Sequence, residues 1–446
     1  MPTKKTFTEV IRRWLTGCLF GICFSGFAVS PAVIITNLPA YGTTDTLKGY
    51  VIGADPTKQA LAVFIYAPTF GWYSKPFCSP LLVPILPDGS WSANITTAGP
   101  TSGDPTATRI AVLLVSTNYN VGCVTGPQTL STNVYAQAIA KTIITRPSPN
   151  LRFINFSGYD WWVKSPAGLA GPGPNYFSDA TNNVWLDTNG WLHLRVTHRT
   201  NAWQCAEIVS ARTFGQGNYR FEVNSAIDSL NQNVTLGLFT WSDDPTFTDR
   251  EIDVEGGRWG NPADTDNAQF VVQPFGGLNH LDRYRVPPGL TDSTHLFIWE
   301  TNRIRWQAQS NGYSADGTNA FIAYRFDTVA DIPLSGDENV RLNLWLVNGA
   351  APSDFNEVEV VIKSFNFVPL SAPPSAVLNN PKVQPGGIVQ ADLTVQPDFR
   401  YDLQASSNLT HWDDVTTLLA ISDKLTLLET NSSPSSRRFY RAVTLP

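Results

Sequence analysis

Three acids at alternate positions, in Arg250-Glu251-Ile252-Asp253-Val254-Glu255, carry the strongest chemical signal in the chain. On a strand, successive side chains point to opposite faces, so Glu251, Asp253 and Glu255 share one face while Ile252 and Val254 enter the other. On a helix the same spacing would scatter the acids over roughly 200°. The β-branched residues between them favour the strand. Crowding three carboxylates on one strip disfavours joint ionisation and raises at least one pKa, an arrangement for which folding alone has no use. Cleavage of a glycosidic bond with retained configuration does use it, because it needs one ionised carboxylate as nucleophile and one protonated acid for the leaving group. The Cα atoms of Glu251 and Glu255 would lie about 13 Å apart on a strand. Two inward-leaning Glu side chains can close that to the roughly 5–5.5 Å of retaining chemistry. Asp253, between them, is placed to share a proton with the nucleophile. A bare E-x-D-x-E also fits a solvated acidic edge or a calcium site, so the surrounding chain has to decide.

The elements that must hold this strip are strands. No segment sustains a helical period; short alternating runs recur between Gly, Pro, Asn and Asp, as in Leu61 to Tyr66, Ile110 to Ser116, Trp191 to Val196, Tyr219 to Val223 and Val358 to Ile362. At 446 residues the chain is long enough for two or three domains. Two joints divide it: Arg146-Pro147-Ser148-Pro149-Asn150 and Ser371-Ala372-Pro373-Pro374-Ser375. The expected organisation is a signal and leader over 1–42, an accessory β-sandwich over 43–146, a catalytic domain over 151–370 and a C-terminal module over 376–446. That last module resembles small fibronectin- or immunoglobulin-like units through Tyr401 to Ser406 and Phe439 to Ala442.

Composition narrows the function further. Charged residues make up 15% of the chain and aromatics 12%, with 14 Trp. So many indoles suit stacking against sugar rings as well as burial in a sandwich core. A net charge of −6 leaves no basic face for phosphates, which excludes nucleic acid as a partner. Lys4, Lys5, Arg12 and Arg13 precede an apolar run from Trp14 to about Val29, the pattern of an export signal with cleavage near residues 38–42. An uncleaved anchor is the competing reading. Of five Cys, Cys18 and Cys23 lie in that segment, Cys78 and Cys123 could bridge in an oxidising compartment, and Cys205 reads as a buried apolar residue. The five His show no metal-ligand spacing. No metal centre or cofactor is expected, structural calcium being left open. Neither is a membrane partner beyond the signal, and the chain reads as a monomer that is secreted, periplasmic or held at the cell surface.

In its central half the chain resembles glycoside hydrolase family 16, the lichenases, laminarinases, agarases and carrageenases. Glu251 to Glu255 match the family's E-[ILV]-D-x-E motif without a bulge residue. Tyr159-Asp160-Trp161 and Pro174 to Phe177 look like its opening strands, and Asn189 to Leu194 is similar to its D-G-x-L-x-L strand. Ala206-Glu207-Ile208 with Gly215 to Phe221, His295 to Glu300 with Arg303 to Trp306, Asn343-Leu344-Trp345, and Glu357 to Phe365 follow in the family's order over about 151–370. The resemblance implies a concanavalin-like jelly-roll β-sandwich, flanked here by the two smaller β-sandwich modules, with Glu251 as nucleophile, Asp253 as its helper and Glu255 as general acid/base. It places Glu207, Asn343 and Trp345 on the cleft wall. Trp241, Trp259 and Trp203 are the candidates for sugar stacking, whereas Trp299 and Trp306 read as core. Two departures stand out. Asp249 occupies a position where many members carry Trp, and Gly256-Gly257-Arg258-Trp259-Gly260 replaces an aromatic after the last acid. Arg258 could therefore donate to a substrate hydroxyl or anion, or pair with a nearby acid instead. The expected activity is endo-hydrolysis of a β-linked glucan or galactan through a glycosyl-enzyme intermediate. Transglycosylation and a catalytically silent carbohydrate-binding protein are the alternatives on the same fold.

Overall fold

The computed structural model describes residues 31–446 apart from 69, 245–247, 371–376, 384–388, 396–399, 410–411, 420–423, 430–437 and 445–446. The signal segment with Cys18 and Cys23, and the joint at Ser371 to Ser375, lie outside those residues. Among the described residues the regular structure is strand, save the short helix Thr132–Ala136 and four single 3-10 turns.

Six strands carry the site: β1 (Ala202–Ser210), β2 (Val234–Trp241), β3 (Ile252–Gly256), β4 (Ala268–Val272), β5 (Leu281–Tyr284) and β6 (Asn339–Leu346). They pair antiparallel in the order β5-β4-β3-β2-β6-β1. A second layer runs through Leu192–Arg199, Val358–Pro369, Gly217–Val223, Ser293–Trp299, Ile304–Ser310 and Ala320–Phe326. The hairpin from Leu192–Arg199 into β1 joins the two layers; both tip residues, Thr200 and Asn201, have positive φ (49° and 60°), as a tight two-residue hairpin turn requires.

Alternation decides which faces meet. Leu236, Leu238, Ile252, Val254, Phe270, Leu342 and Leu344 from the first layer pack with Tyr219, Phe221, Phe297, Trp299, Trp306 and Val360 from the second in one core. Each fully buried side chain of this kind contributes about 1.5–3 kcal/mol. Trp299 and Trp306 are core, as their positions suggest, and the Trp306 indole donates to the Asp253 carbonyl (3.0 Å). The back of the acid strand is thereby pinned by an indole of the other layer.

The N-terminal unit stacks a three-stranded sheet on a four-stranded one. The central strands Gln59–Ala67 and Arg109–Ser116 are buried on both faces, between one core that includes Trp91 and another that includes Trp72 and the helix. Trp72 is thus core. The Cys78–Cys123 disulfide closes this unit, and Cys205 is free and fully buried, its thiol pushed up to about 12 by desolvation. Two boundaries differ from the expectation. Ala32–Asn37, expected to be leader, is an edge strand paired with Leu47–Ile52, because its alternating apolar residues reach the same core. Arg146, expected to start a linker, is fully buried, its guanidinium donating to the carbonyls of Ala107 and Pro105. C-terminal strands form two three-stranded sheets around Leu393, Tyr401 and Leu403.

Candidate active site

β3 delivers what its alternation dictates. Ile252 and Val254 are buried in the sandwich core, while Glu251, Asp253 and Glu255 line one cavity of about 360 Å³ on the opposite face. Register builds the floor of this cleft in rows. One row crosses the sheet as Gln269, Glu255, Gly237, Asn343 and Glu207; the next runs Val271, Asp253, Phe239, Arg341 and Val209. Gly237 leaves room for the Asn343 side chain, whose oxygen would lie 2.4 Å from a Cβ there. The row is therefore notched beside Glu255.

The three acids do not share one environment. Glu251 is pushed up to about 8, first by burial and then by the charges of Glu255 and Asp249. Asp253, 3% exposed, is held well above the usual carboxylate range by burial and by its two Glu neighbours. The interaction between Asp253 and Glu251 favours a proton on Asp253 and a charge on Glu251. Glu255 is pushed up to about 7 by burial, against the hydrogen bond from Gln269 and the Arg283 charge, both of which pull it down. Gln269 Nε2 donates to Glu255 (2.6 Å), Arg283 donates to the Gln269 oxygen (3.1 Å), and Asp264 accepts from Arg283 (2.6 Å). With all three acids raised, the strip retains at least one proton at neutral pH, the form a general acid needs.

On the other side of the acids lies a set of paired charges. Glu207, fully buried, accepts from Lys164 (2.9 Å), Asn343 (3.2 Å) and Arg341 (3.4 Å). Arg341 also reaches Asp243 (3.5 Å) and lies 5.6 Å from the Trp241 ring centre. Trp241, Trp345 and Phe239 supply the apolar part of the lining, with Ala170, Gly171 and Pro172 at the rim.

Of the residues singled out from sequence, Glu251, Asp253, Glu255, Trp241, Glu207, Asn343 and Trp345 meet in this cleft. Three do not line it. Arg258 donates to the main-chain carbonyls of Leu230 and Asp228, so its guanidinium braces a loop. Trp259 has φ +46° and stacks under Arg283 (4.4 Å). Trp203 packs against His198 (5.1 Å) and the sandwich core. Sequence reasoning passed over Lys164, Arg341, Asp243, Phe239 and Gln269. Alternation would have found Arg341 and Phe239, which share faces with Asn343 and Trp241; the others depend on cross-strand register or on a loop. A larger cavity, about 630 Å³, lies between the N-terminal unit and the sandwich, but among the described residues no acid, His or Cys lines it.

The backbone entering β3 is unusual. Thr248, Asp249 and Arg250 carry φ of 50°, 59° and 53°, three consecutive side chains in the left-handed region. Each costs on the order of 1–2 kcal/mol, and such strain persists only where the surroundings enforce it.

No family model matches the sequence, and no curated protein matches it. Among solved structures, a β-glucanase of Bacillus licheniformis is 20% identical over 50% of this chain and 99% of its own, with a TM-score of 0.37. A β-1,3-1,4-glucanase from a mouse hindgut metagenome is 22% identical over 49% and 99%, also at 0.37. A pseudo β-1,3-glucanase of Mycobacterium tuberculosis is 20% identical over 49% and 90%, at 0.35. At these identities and TM-scores the likeness carries no functional argument, and function has to be read from the site itself.

Proposed function

We propose that the protein is an exported, retaining endo-glycoside hydrolase of the family 16 type, acting on a neutral β-linked glucan. The observation that carries this reading is the row of Glu251, Asp253 and Glu255 on one strand face, all raised in pKa, in a cleft with Trp241 and Trp345. Glu251 attacks the anomeric carbon as the bond to the leaving oxygen breaks, and Glu255 gives that oxygen its proton. Water, deprotonated by Glu255, then displaces Glu251 from the sugar, so two inversions leave the configuration retained. Asp253 favours charge on Glu251, opposing the burial and neighbouring charges that push the nucleophile up to about 8.

A neutral substrate is favoured because the cleft's two cations, Lys164 and Arg341, are each paired with Glu207 or Asp243, and Arg258 points away. Export is supported by the N-terminal basic-then-apolar pattern and by the Cys78–Cys123 disulfide.

The test is reducing-end release from β-glucans, agarose, porphyran and carrageenans, comparing wild type with Glu251→Ala. Activity on a β-glucan that falls about 10³-fold or more in the variant, with the first product formed in the β configuration, is the expected result. Activity confined to a sulfated galactan would overturn the substrate. Binding without turnover by the wild type would leave a carbohydrate-binding protein.

A further inference from the structure

The left-handed turn that presents Glu251 is locked from behind, and part of the lock belongs to the N-terminal unit. Arg250 is 1% exposed and points away from the cleft. Its guanidinium donates to Asp244 (3.0 Å), to the Leu334 carbonyl (2.9 Å) and to Ser242 Oγ (3.3 Å). Gly336 lets it fit, since a Cβ there would lie 2.4 Å from Arg250 Nε. Ser242 in turn donates to Asp337 (2.5 Å). The other Asp337 oxygen accepts from Arg109 (2.9 Å), which comes from the N-terminal four-stranded sheet and lies over Trp72 of the same unit.

More of that unit closes the junction. The Tyr135 ring sits 5.8 Å from the Arg250 guanidinium, and Lys141 donates to Ser335 (2.8 Å) in the loop that holds Gly336. Main-chain bonds from Thr145 to Ala211 (2.5 Å) and from Thr213 to Ile143 (3.0 Å) stitch the N-terminal sheet to the chain leaving β1. A spacer domain needs none of this. Two of these contacts reach the residue immediately before Glu251: Arg109 through Asp337 and Ser242, and the Tyr135 ring directly.

We infer that Arg109 is a positioning residue for Glu251, so that the N-terminal unit is part of the catalytic apparatus. Arg109 neutralises Asp337, 3% exposed, and thereby leaves Arg250 to Asp244 and Leu334. Asp337 lies only 3.9 Å from Arg250. Without Arg109, this buried carboxylate draws Arg250 toward itself and the left-handed turn relaxes. This rests on the proposed role of Glu251 as nucleophile.

The experiment compares the full-length wild type, Arg109→Met and the double variant Arg109→Met/Asp337→Asn. Two readouts are taken: kcat and KM on the glucan the wild type hydrolyses, and amide hydrogen exchange of the peptide spanning 248–252. The inference expects Arg109→Met to lose about tenfold or more in kcat with KM changed less than threefold. It also expects faster exchange in that peptide, and return of both toward wild type in the double variant, where the stray charge is gone. Unchanged kcat and exchange in a folded Arg109→Met would overturn it. So would a loss that tracks only the folded fraction, or one that the double variant does not relieve. If the wild type hydrolyses nothing, the proposed function fails, and exchange at 248–252 still decides whether Arg109 holds the turn.

Discussion

Glu255 and Glu251 sit at the two ends of one short acidic strip, yet the molecule holds them by different means. Glu255 lies within the ladder, opposite Gln269 on one side and Gly237 on the other, and its carboxylate is held directly by the Gln269 amide. Glu251 stands one residue ahead of the strand, at the end of a left-handed turn whose anchor, Arg250, faces another unit of the protein. The proposed general acid is therefore tuned by side-chain neighbours in a regular sheet, where small shifts in polarity move its proton. The proposed nucleophile is placed by backbone, where what matters is the line of attack on carbon. The two devices suit the two chemical roles, because proton transfer follows pKa and attack follows geometry.

Gly336→Ala breaks the Glu251 end without altering any side chain of the acidic strip. The added methyl displaces the Arg250 guanidinium, and a shift of about 1 Å at the nucleophile lowers kcat on the order of 10²-fold, with KM little changed. Steady-state kinetics on the folded variant check this, and a wild-type kcat would mean that the turn holds without its lock.

Gln269→Leu probes the other end. The amide hydrogen bond lowers the Glu255 pKa, so its loss raises that pKa. In the proposed mechanism Glu255 is protonated to release the leaving group, so the alkaline limb of kcat/KM then moves to higher pH, by about one unit. A limb that stays in place would separate Glu255 from the acid role.

The smallest effect is on stability. Glu251 and Glu255 have folded-state pKa values of about 8 and 7, above the ordinary 4.5. The folded state then binds more protons than the unfolded chain between about pH 4.5 and 8, and stability falls as pH rises through that window. Glu251→Gln removes part of this, so its Tm should gain on wild type by a few degrees from pH 5 to pH 8 and match it near pH 4. A gap independent of pH, measured by thermal denaturation, would mean that burial of charge at Glu251 has no such cost.

What was legible in the chain was what alternation and residue type determine. The period of two in Glu251 to Glu255 placed all three acids on one face and Ile252 and Val254 in the core, whatever the neighbours were. Trp299 and Trp306 were readable as core from the resemblance to the family's pattern, Cys205 as a buried leftover of the cysteine count, and Cys78 and Cys123 as a pair from their number and setting. Tertiary structure decided what depends on register and on approach between distant segments. Gln269 reaches Glu255 because the hairpin between β3 and β4 sets them opposite, and Arg258 turns to carbonyls because its loop packs on residues 228–230. The left-handed turn before Glu251 has no signature in Thr248-Asp249-Arg250, none of which is glycine. It is imposed by contacts with residues roughly 80 to 140 positions away in sequence, and local propensity contains no information about partners so remote.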